Sequence, residues 1–429
     1  MRRPDGSGGS RRSRTDPKEV PATAPTGEGR AWYRDLTSSR LLLFFAFQIV
    51  SGILVAPIIA LYPIYVEKVL HQTPLVSGNV RVLFVVFGGL VALPGGALCD
   101  FLGRKPAYLI AMTGVLAGGL LFLTASQAVM TALAVFGGLM FGLGAVAGQS
   151  YLMDSVPRRS LAIATACYFL TGTVGNAAGS WAAAWIAAET GGAYALIGQG
   201  IVLGEVALIG AAALWLPALP RPATARGVEA FTGGYGELWR RREVQALLAL
   251  RFLPTFYWGC VTFLLNLLLF RLTGDEKLAG TYTAVSNLLA AVCQLGAGRL
   301  VDKIGPHRPV VIAMSVVTLA ALGQGLFART PWALVGFGLL GAGAAWSLSI
   351  TMTTLIQALS TEETKGRLLG ITHAFWSAGF LSGTFMGSRM AMLAHPGTLA
   401  FLICAAGCAV AVPCALYVVR SVPRTPRPA

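Results

Sequence analysis

The sequence predicts an all-α membrane protein, with twelve transmembrane helices arranged as two pseudo-symmetric six-helix halves. Three observations carry this. Hydrophobic residues make up 55% of the chain and charged residues only 12%, about half the charged share of a soluble domain, and the mean hydropathy is +0.67. The apolar residues gather into runs close to the roughly 20 residues that a helix needs to cross a bilayer. A charged, glycine-bearing turn between two of these runs recurs half a chain further on. Helices are what such runs form, because the bilayer core offers no water to unpaired backbone groups.

Residues 1–37 are rich in Arg, Gly, Ser and Pro and poor in aliphatic side chains, so they read as a disordered cytoplasmic tail. The run 41–66 exceeds the roughly 7–15 residues of a signal-peptide core and is expected to stay as the first helix. Runs at 76–101, 106–126, 129–152, 161–187 and 193–216 complete an N-terminal bundle over 38–216. A polar linker, 217–243, carries Arg221, Arg226, Arg240, Arg241 and Arg242. Runs at 244–270, 278–302, 309–328, 332–358, 368–390 and 396–419 form a C-terminal bundle over 244–419, followed by a short tail, 420–429.

The basic residues sort by side. Arg104, Lys105, Arg158, Arg159, the linker arginines, Lys303, Arg308, Lys365, Arg367 and both tails fall together, whereas Lys68, Arg271, Lys277 and Arg329 fall on the opposite side. The positive-inside rule makes the first side cytoplasmic and places both termini there, in a multi-pass protein of the cell membrane. The net charge of +15 therefore orients the chain in a lipid bilayer; spread over tails and alternate turns, it makes no face for nucleic acid. The seven cysteines lie in or beside apolar runs without CxxC or metal-ligand spacing and read as small core residues. Gly-x-Ser-x-Gly, the P-loop and His-Glu-x-x-His are absent from the sequence, so neither an enzyme nor a bound cofactor or metal is expected.

The duplicated turn reads Gly96-Ala-Leu-Cys-Asp100-Phe-Leu-Gly103-Arg104-Lys105 and then Gly298-Arg-Leu-Val-Asp302-Lys303-Ile-Gly305-Pro-His-Arg308. Gly96 thins a helix end for close packing, Asp100 can face a helix N-terminus or an Arg, and Gly103 lets the chain reverse. The pair resembles the loops after the second and eighth helices of the major facilitator superfamily, G-x-x-x-D-(R/K)-x-G-(R/K)-(R/K). Phe101 replaces the usual base in the first copy, and Pro306 with His307 displaces the basic pair in the second. The resemblance, nearest to the drug-efflux and general small-molecule type, implies a secondary transporter whose halves rock about a midplane site. It also implies a cytoplasmic gate. Asp100 should face the start of the eleventh helix near Arg367, and Arg104 should reach Asp154, with Gly298, Asp302, Gly305 and Arg308 as the degenerate copy.

By the same resemblance, polar and aromatic residues of the inner helices line a central cavity: Gln48, Arg81, Arg251, Tyr257, Trp258, Asn287, Trp346, Gln357, His373 and Trp376. Rings beside amides and hydroxyls suit an amphipathic organic molecule; interhelical hydrogen bonding, at about 0.6 kcal/mol each, is the alternative for any one of them. A charge at a helix centre costs about 2.5–3.5 kcal/mol on insertion scales. Arg81 either snorkels or lines the cavity, Arg251 lines the cavity or forms a buried pair, and Glu205 is either a structural carboxyl or a proton carrier. Glycine stripes at Gly172, Gly175 and Gly179 and at Gly379, Gly383 and Gly387 allow close helix approach, and the resemblance implies that the fifth and eleventh helices press on the opposite half.

Drug:proton antiporters of this family carry Arg and Gln in the fourth helix, where this chain has Gly138 and Phe141, and Gly-Pro in the fifth, where it has Gly179-Ser180. Protons or another coupling ion thus stay open. The reading is efflux of a small organic molecule by a monomer. Import of an organic anion, favoured by Arg81, Arg251 and His373, and a transport-inactive receptor or scaffold are the alternatives.

Overall fold

The computed structural model describes residues 36–156, 161–219, 235–360 and 365–421. Helix α1 runs Ser39–Ala60 and, past Leu61, continues as Tyr62–Lys68. It is followed by α2 (Pro74–Leu102), α3 (Arg104–Leu121), α4 (Gln127–Ser155), α5 (Leu161–Glu189) and α6 (Tyr194–Trp215). After a short helix, Tyr235–Arg240, come α7 (Arg242–Thr273), α8 (Glu276–Ile304), α9 (His307–Leu326), α10 (Pro331–Leu359), α11 (Lys365–Met390) and α12 (Pro396–Ser421). Nine of these, among the described residues, are long and apolar enough to cross a membrane. Of the other three, α3 opens on Arg104 and Lys105, and α5 and α11 carry the glycine stripes with several hydroxyl and amide side chains. The stretch expected as a linker is partly helical at its end, since α7 already begins at Arg242. The expected tails fall almost wholly outside the described residues.

Local chemistry sets the helix ends. Proline opens α2, α10 and α12, where its missing N–H costs no helical bond. Ser126 caps α4 by accepting from the Val129 amide, and Asp275 caps α8 by accepting from Lys277 N at 2.8 Å. Gly103 and Gly305 lie at positive φ in the short turns of the two repeated motifs, and only glycine enters that region without strain.

The packing repeats between halves. In the first half α1 packs on α5, α2 on α4, and α3 on α4 and α6; in the second α7 packs on α11, α8 on α10, and α9 on α10 and α12. The main cross-pairs between the halves are α2 with α11 and α5 with α8, and α1 makes smaller contacts with α7 and α8. The second half has one core cluster, built on α7 and including Tyr257, Phe263 and Phe401. The first half has two. One surrounds Phe44, Tyr108 and Tyr151 near the start of α1; the other surrounds Tyr62, Phe122 and Tyr194 near its end and extends to Ala279 of α8.

Helices α5 and α11 do press on the opposite half as expected, but not through their glycine stripes. A side chain on Gly175 or Gly179 would run into the carbonyls of Ile49 or Ile53 of α1, and one on Gly379 or Gly383 into those of Phe252 or Phe256 of α7. The stripes therefore seat α5 on α1 and α11 on α7 inside each half. Contact with the opposite half uses other small residues, with Gly280 of α8 against Ser180 and Ala184 of α5 and Gly78 of α2 against Ser388 of α11. A glycine face brings backbones together most closely, and that contact holds each half rigid while leaving the remaining face of α5 and α11 for the partner half.

Candidate functional site

Charged residues at helix ends join the two halves at the end of the bundle where α1 finishes. Arg271, near the end of α7, donates Nε and Nη2 to the two carboxylate oxygens of Glu67, each at 2.6 Å, and Nη1 to the Ala391 carbonyl just past the end of α11 at 2.8 Å. Lys68 pairs with Glu276 of α8, which also accepts from the Tyr194 hydroxyl at 3.3 Å. Lys277 pairs with Glu189 of α5 and lies 4.0 Å over the Trp185 ring. The sequence reading sorted Lys68, Arg271 and Lys277 for orientation and overlooked their partners. The signal was available: Glu67, Glu189 and Glu276 sit at the same helix ends.

Deeper in, Arg81 does not snorkel. Its Nη1 donates to the Thr262 carbonyl of α7 at 3.0 Å, and its guanidinium lies 5.5 Å from the Phe380 ring centroid of α11. From this point an aromatic ladder runs along α11 towards the other end. Trp376 stacks on Phe380 at 5.8 Å and 17°, and His373 stacks on Trp376 at 5.6 Å and 20°. Helical spacing puts His373, Trp376 and Phe380 on one face. That face looks towards the first half, because Phe380 meets Arg81 while Gly379 and Gly383 turn to α7.

Helix α7 presents a matching face. Arg251, Trp258 and Thr262 are spaced by seven and four residues, and the last of them meets Arg81. Trp258 makes an edge contact at 5.9 Å and 78° with Trp346 of α10, whose indole N–H is buried without a hydrogen-bond partner among the described residues. Arg251 is half-buried and lies near His373. Asn287 of α8 is also half-buried. The result is a face of rings and bases on the second half that looks towards the first.

Two residues expected in the cavity are engaged elsewhere. Tyr257 is fully buried in the core of the second half, its hydroxyl against Gly341 of α10. Gln48 accepts a hydrogen bond from the Tyr108 hydroxyl at 3.0 Å, beside the stacked pair Phe44 and Tyr168 at 5.7 Å. Each polar side chain thus points into its own bundle, a distinction that residue type alone does not make. Glu205 is fully buried in α6, and neither carboxyl oxygen has a partner among the described residues.

At the end where α1 begins, Arg104 Nε donates to Asp154 Oδ2 at 2.7 Å, the acid named for it from the sequence, and Lys105 Nζ donates to the Ala213 carbonyl in the last turn of α6 at 2.7 Å. Gly298 faces Ile350 of α10, and Arg308 is exposed at the start of α9. Gly96 and the side chains of Asp100, Asp302, Gln357 and Arg367 lie outside the described set.

Comparison with known proteins follows the same lines. The sequence profile of the Major Facilitator Superfamily matches residues 40–384 and again 272–429. The multidrug resistance protein MdtG of Salmonella typhimurium and that of Dickeya zeae are each 26% identical over 136 residues, which is 31% of this chain and 33% of theirs. The chain thus spans about a third of the length of the curated relatives it matches. A bacterial homolog of the human lysosomal transporter Spinster, in its inward-facing and unoccupied form, superposes with TM-score 0.67 at 13% identity over 91% of this chain and 97% of its own. The nucleoside transporter NupG superposes with TM-score 0.71 at 14% identity over 88% of this chain and 99% of its own. At these identities the structures share the fold.

Proposed function

The chain belongs to the Major Facilitator Superfamily, and from that premise we propose that it is a secondary active transporter that exports a small organic molecule across the cell membrane by alternating access. The observation that carries this reading is the pairing of two features: a belt of ion pairs that clamps the halves at one end, and a face of rings and bases that begins just beneath it and that we read as one wall of a cleft. The basic turns put the clamped end outside and the termini in the cytoplasm. In that orientation the cleft opens inward. The moving bodies are the bundles 38–216 and 244–419, and a monomer suffices because Arg81 of the first half already meets the face of the second within one chain.

Export is favoured by the partial likeness to proteins whose names describe multidrug resistance. No covalent chemistry is assigned. A proton-coupled cycle that used a carboxyl in mid-membrane would use Glu205, the one acid placed mid-helix among the described helices. Purified protein in liposomes tests the reading: saturable flux of a bound compound supports it, and binding across a broad panel without flux supports a receptor instead. Cells that accumulate an anionic substrate and gain no resistance to any amphipathic toxin would overturn the direction.

A further inference from the structure

Among the described residues, the face that looks between the halves carries bases and no acid. Among the described helices the mid-helix charged side chains are Arg81, Arg251 and Glu205, with His373 beside them, and α6, which carries Glu205, packs on α1 and α3 inside the first half. Arg81 is answered by the Thr262 carbonyl and the Phe380 ring. No ion pair joins Arg251 to a described carboxylate: Glu243 opens α7 two turns earlier, and from Val244 to Gly274 and inside the helices α9, α10, α11 and α12 the sequence holds no Asp or Glu. A guanidinium placed deep in a membrane segment, facing a cleft and lacking a protein counter-charge, is completed by a charge from outside the protein.

The neighbours of Arg251 specify more than charge. The ladder of His373 and Trp376 and the edge-to-face pair of Trp258 and Trp346 offer flat apolar surfaces beside it, and the buried indole N–H of Trp346 is a donor waiting for an acceptor. A planar guanidinium prefers a planar two-oxygen anion, which it holds with two parallel hydrogen bonds. We propose that the substrate is a flat aromatic carboxylate, its ring among Trp258, Trp346 and Trp376 and its carboxylate on Arg251. This rests on the transport reading for its role and on the cleft wall for its chemistry. A cation is disfavoured by Arg251 and Arg81 together, and a neutral ring leaves Arg251 unanswered.

Titration calorimetry on the purified full chain provides the test, with three naphthalene probes of one shape: 1-naphthoate, 1-naphthamide and 1-naphthylmethylammonium. The carboxylate is expected to bind about tenfold tighter than the amide, with the ammonium weakest, as a hydrogen bond to a charged group implies. Arg251→Gln should erase the preference, Arg251→Lys should keep part of it, and Trp376→Leu should weaken all three probes alike. The wild-type comparison needs no variant, so a variant that fails to fold does not rescue the idea. Equal or better binding of the amide or ammonium overturns it, as does failure of naphthoate, benzoate and indole-3-acetate all to bind, or an undiminished preference in Arg251→Gln. Anion-selective binding without flux in liposomes sinks the transporter and keeps the site; flux of neutral or cationic compounds without anion preference does the reverse.

Discussion

Arg271 holds Glu67 through two nitrogens of its guanidinium, at 2.6 Å each, and so ties the end of α7 to the end of α1 across the two halves. Both side chains are about a quarter exposed, so the pair is worth about 1 kcal/mol, more than a fully solvated pair and less than a dry one. A difference of that size shifts a two-state balance about fivefold. Arg271→Gln should therefore open the clamped end more often. In a background without native cysteines, Ser180→Cys, which faces Gly280 across the halves, should react faster with a membrane-impermeant maleimide, and the exchange of Glu67→Arg with Arg271→Glu should restore slow labelling. Unchanged labelling in Arg271→Gln would mean that the belt does not hold the end shut.

The glycine stripes predict a steep contrast within one helix. A Cβ on Gly383 would overlap the Phe256 carbonyl, and one on Gly175 the Ile49 carbonyl, whereas one on Gly172 meets nothing within 4 Å. Backbone cannot yield as a side chain can, so Gly383→Ala and Gly175→Ala should each cost about 1–3 kcal/mol. Gly172→Ala should stay within about 0.5 kcal/mol. Thermal unfolding in detergent, followed by size-exclusion elution, checks all three, and equal melting of Gly172→Ala and Gly175→Ala would refute the packing.

The two reversals offer a test of the pseudo-symmetry. Gly103 has φ 90° and ψ 153°, and Gly305, half a chain on, has φ 76° and ψ 171°. Alanine at either is strained by about 1–3 kcal/mol. We expect Gly103→Ala to be the more damaging for transport, since it also displaces Arg104 from Asp154 and Lys105 from Ala213. Loss of flux in Gly305→Ala with normal flux in Gly103→Ala would reverse that ranking.

Much of this was legible in the sequence for a simple reason: membrane helices must be long and apolar, and the turns between them must be charged or glycine-bearing. Gly103 and Gly305 announced the two reversals, and Arg104 with Asp154 was implied by the family resemblance of the first turn. Sidedness within a helix was harder. Tyr257 and Trp258 are adjacent in the chain, yet one is locked in the core and the other faces a neighbouring Trp at the cleft, because an α-helix turns about 100° per residue and nothing in an all-apolar helix marks which face is wet. The same ambiguity hid the glycine stripes' partner. Small residues say that something comes close, not which helix it is. The acid halves of the outer ion pairs were missed for a different reason, since orientation rules count bases and ignore carboxylates.

Arg81 separates two physical accounts of a charge one or two turns inside a membrane helix. If the side chain merely escaped to the bilayer surface, lysine would serve as well, because its longer apolar stem snorkels readily. In the structure the guanidinium instead reaches across to the Thr262 carbonyl at 3.0 Å and lies over Phe380, the first ring of the ladder. That geometry needs a planar head that can donate and stack at once, which an ammonium does poorly. The contact also exists only while α2 lies against α7 and α11, so it favours one conformation of the cycle and its loss biases the other. We therefore expect Arg81→Lys to lower flux severalfold and Arg81→Gln to lower it about tenfold, which is about 1.4 kcal/mol, with near-normal membrane insertion and expression of both. Flux at the wild-type level in Arg81→Lys, together with unaltered labelling at the clamped end, would return this residue to the snorkelling account.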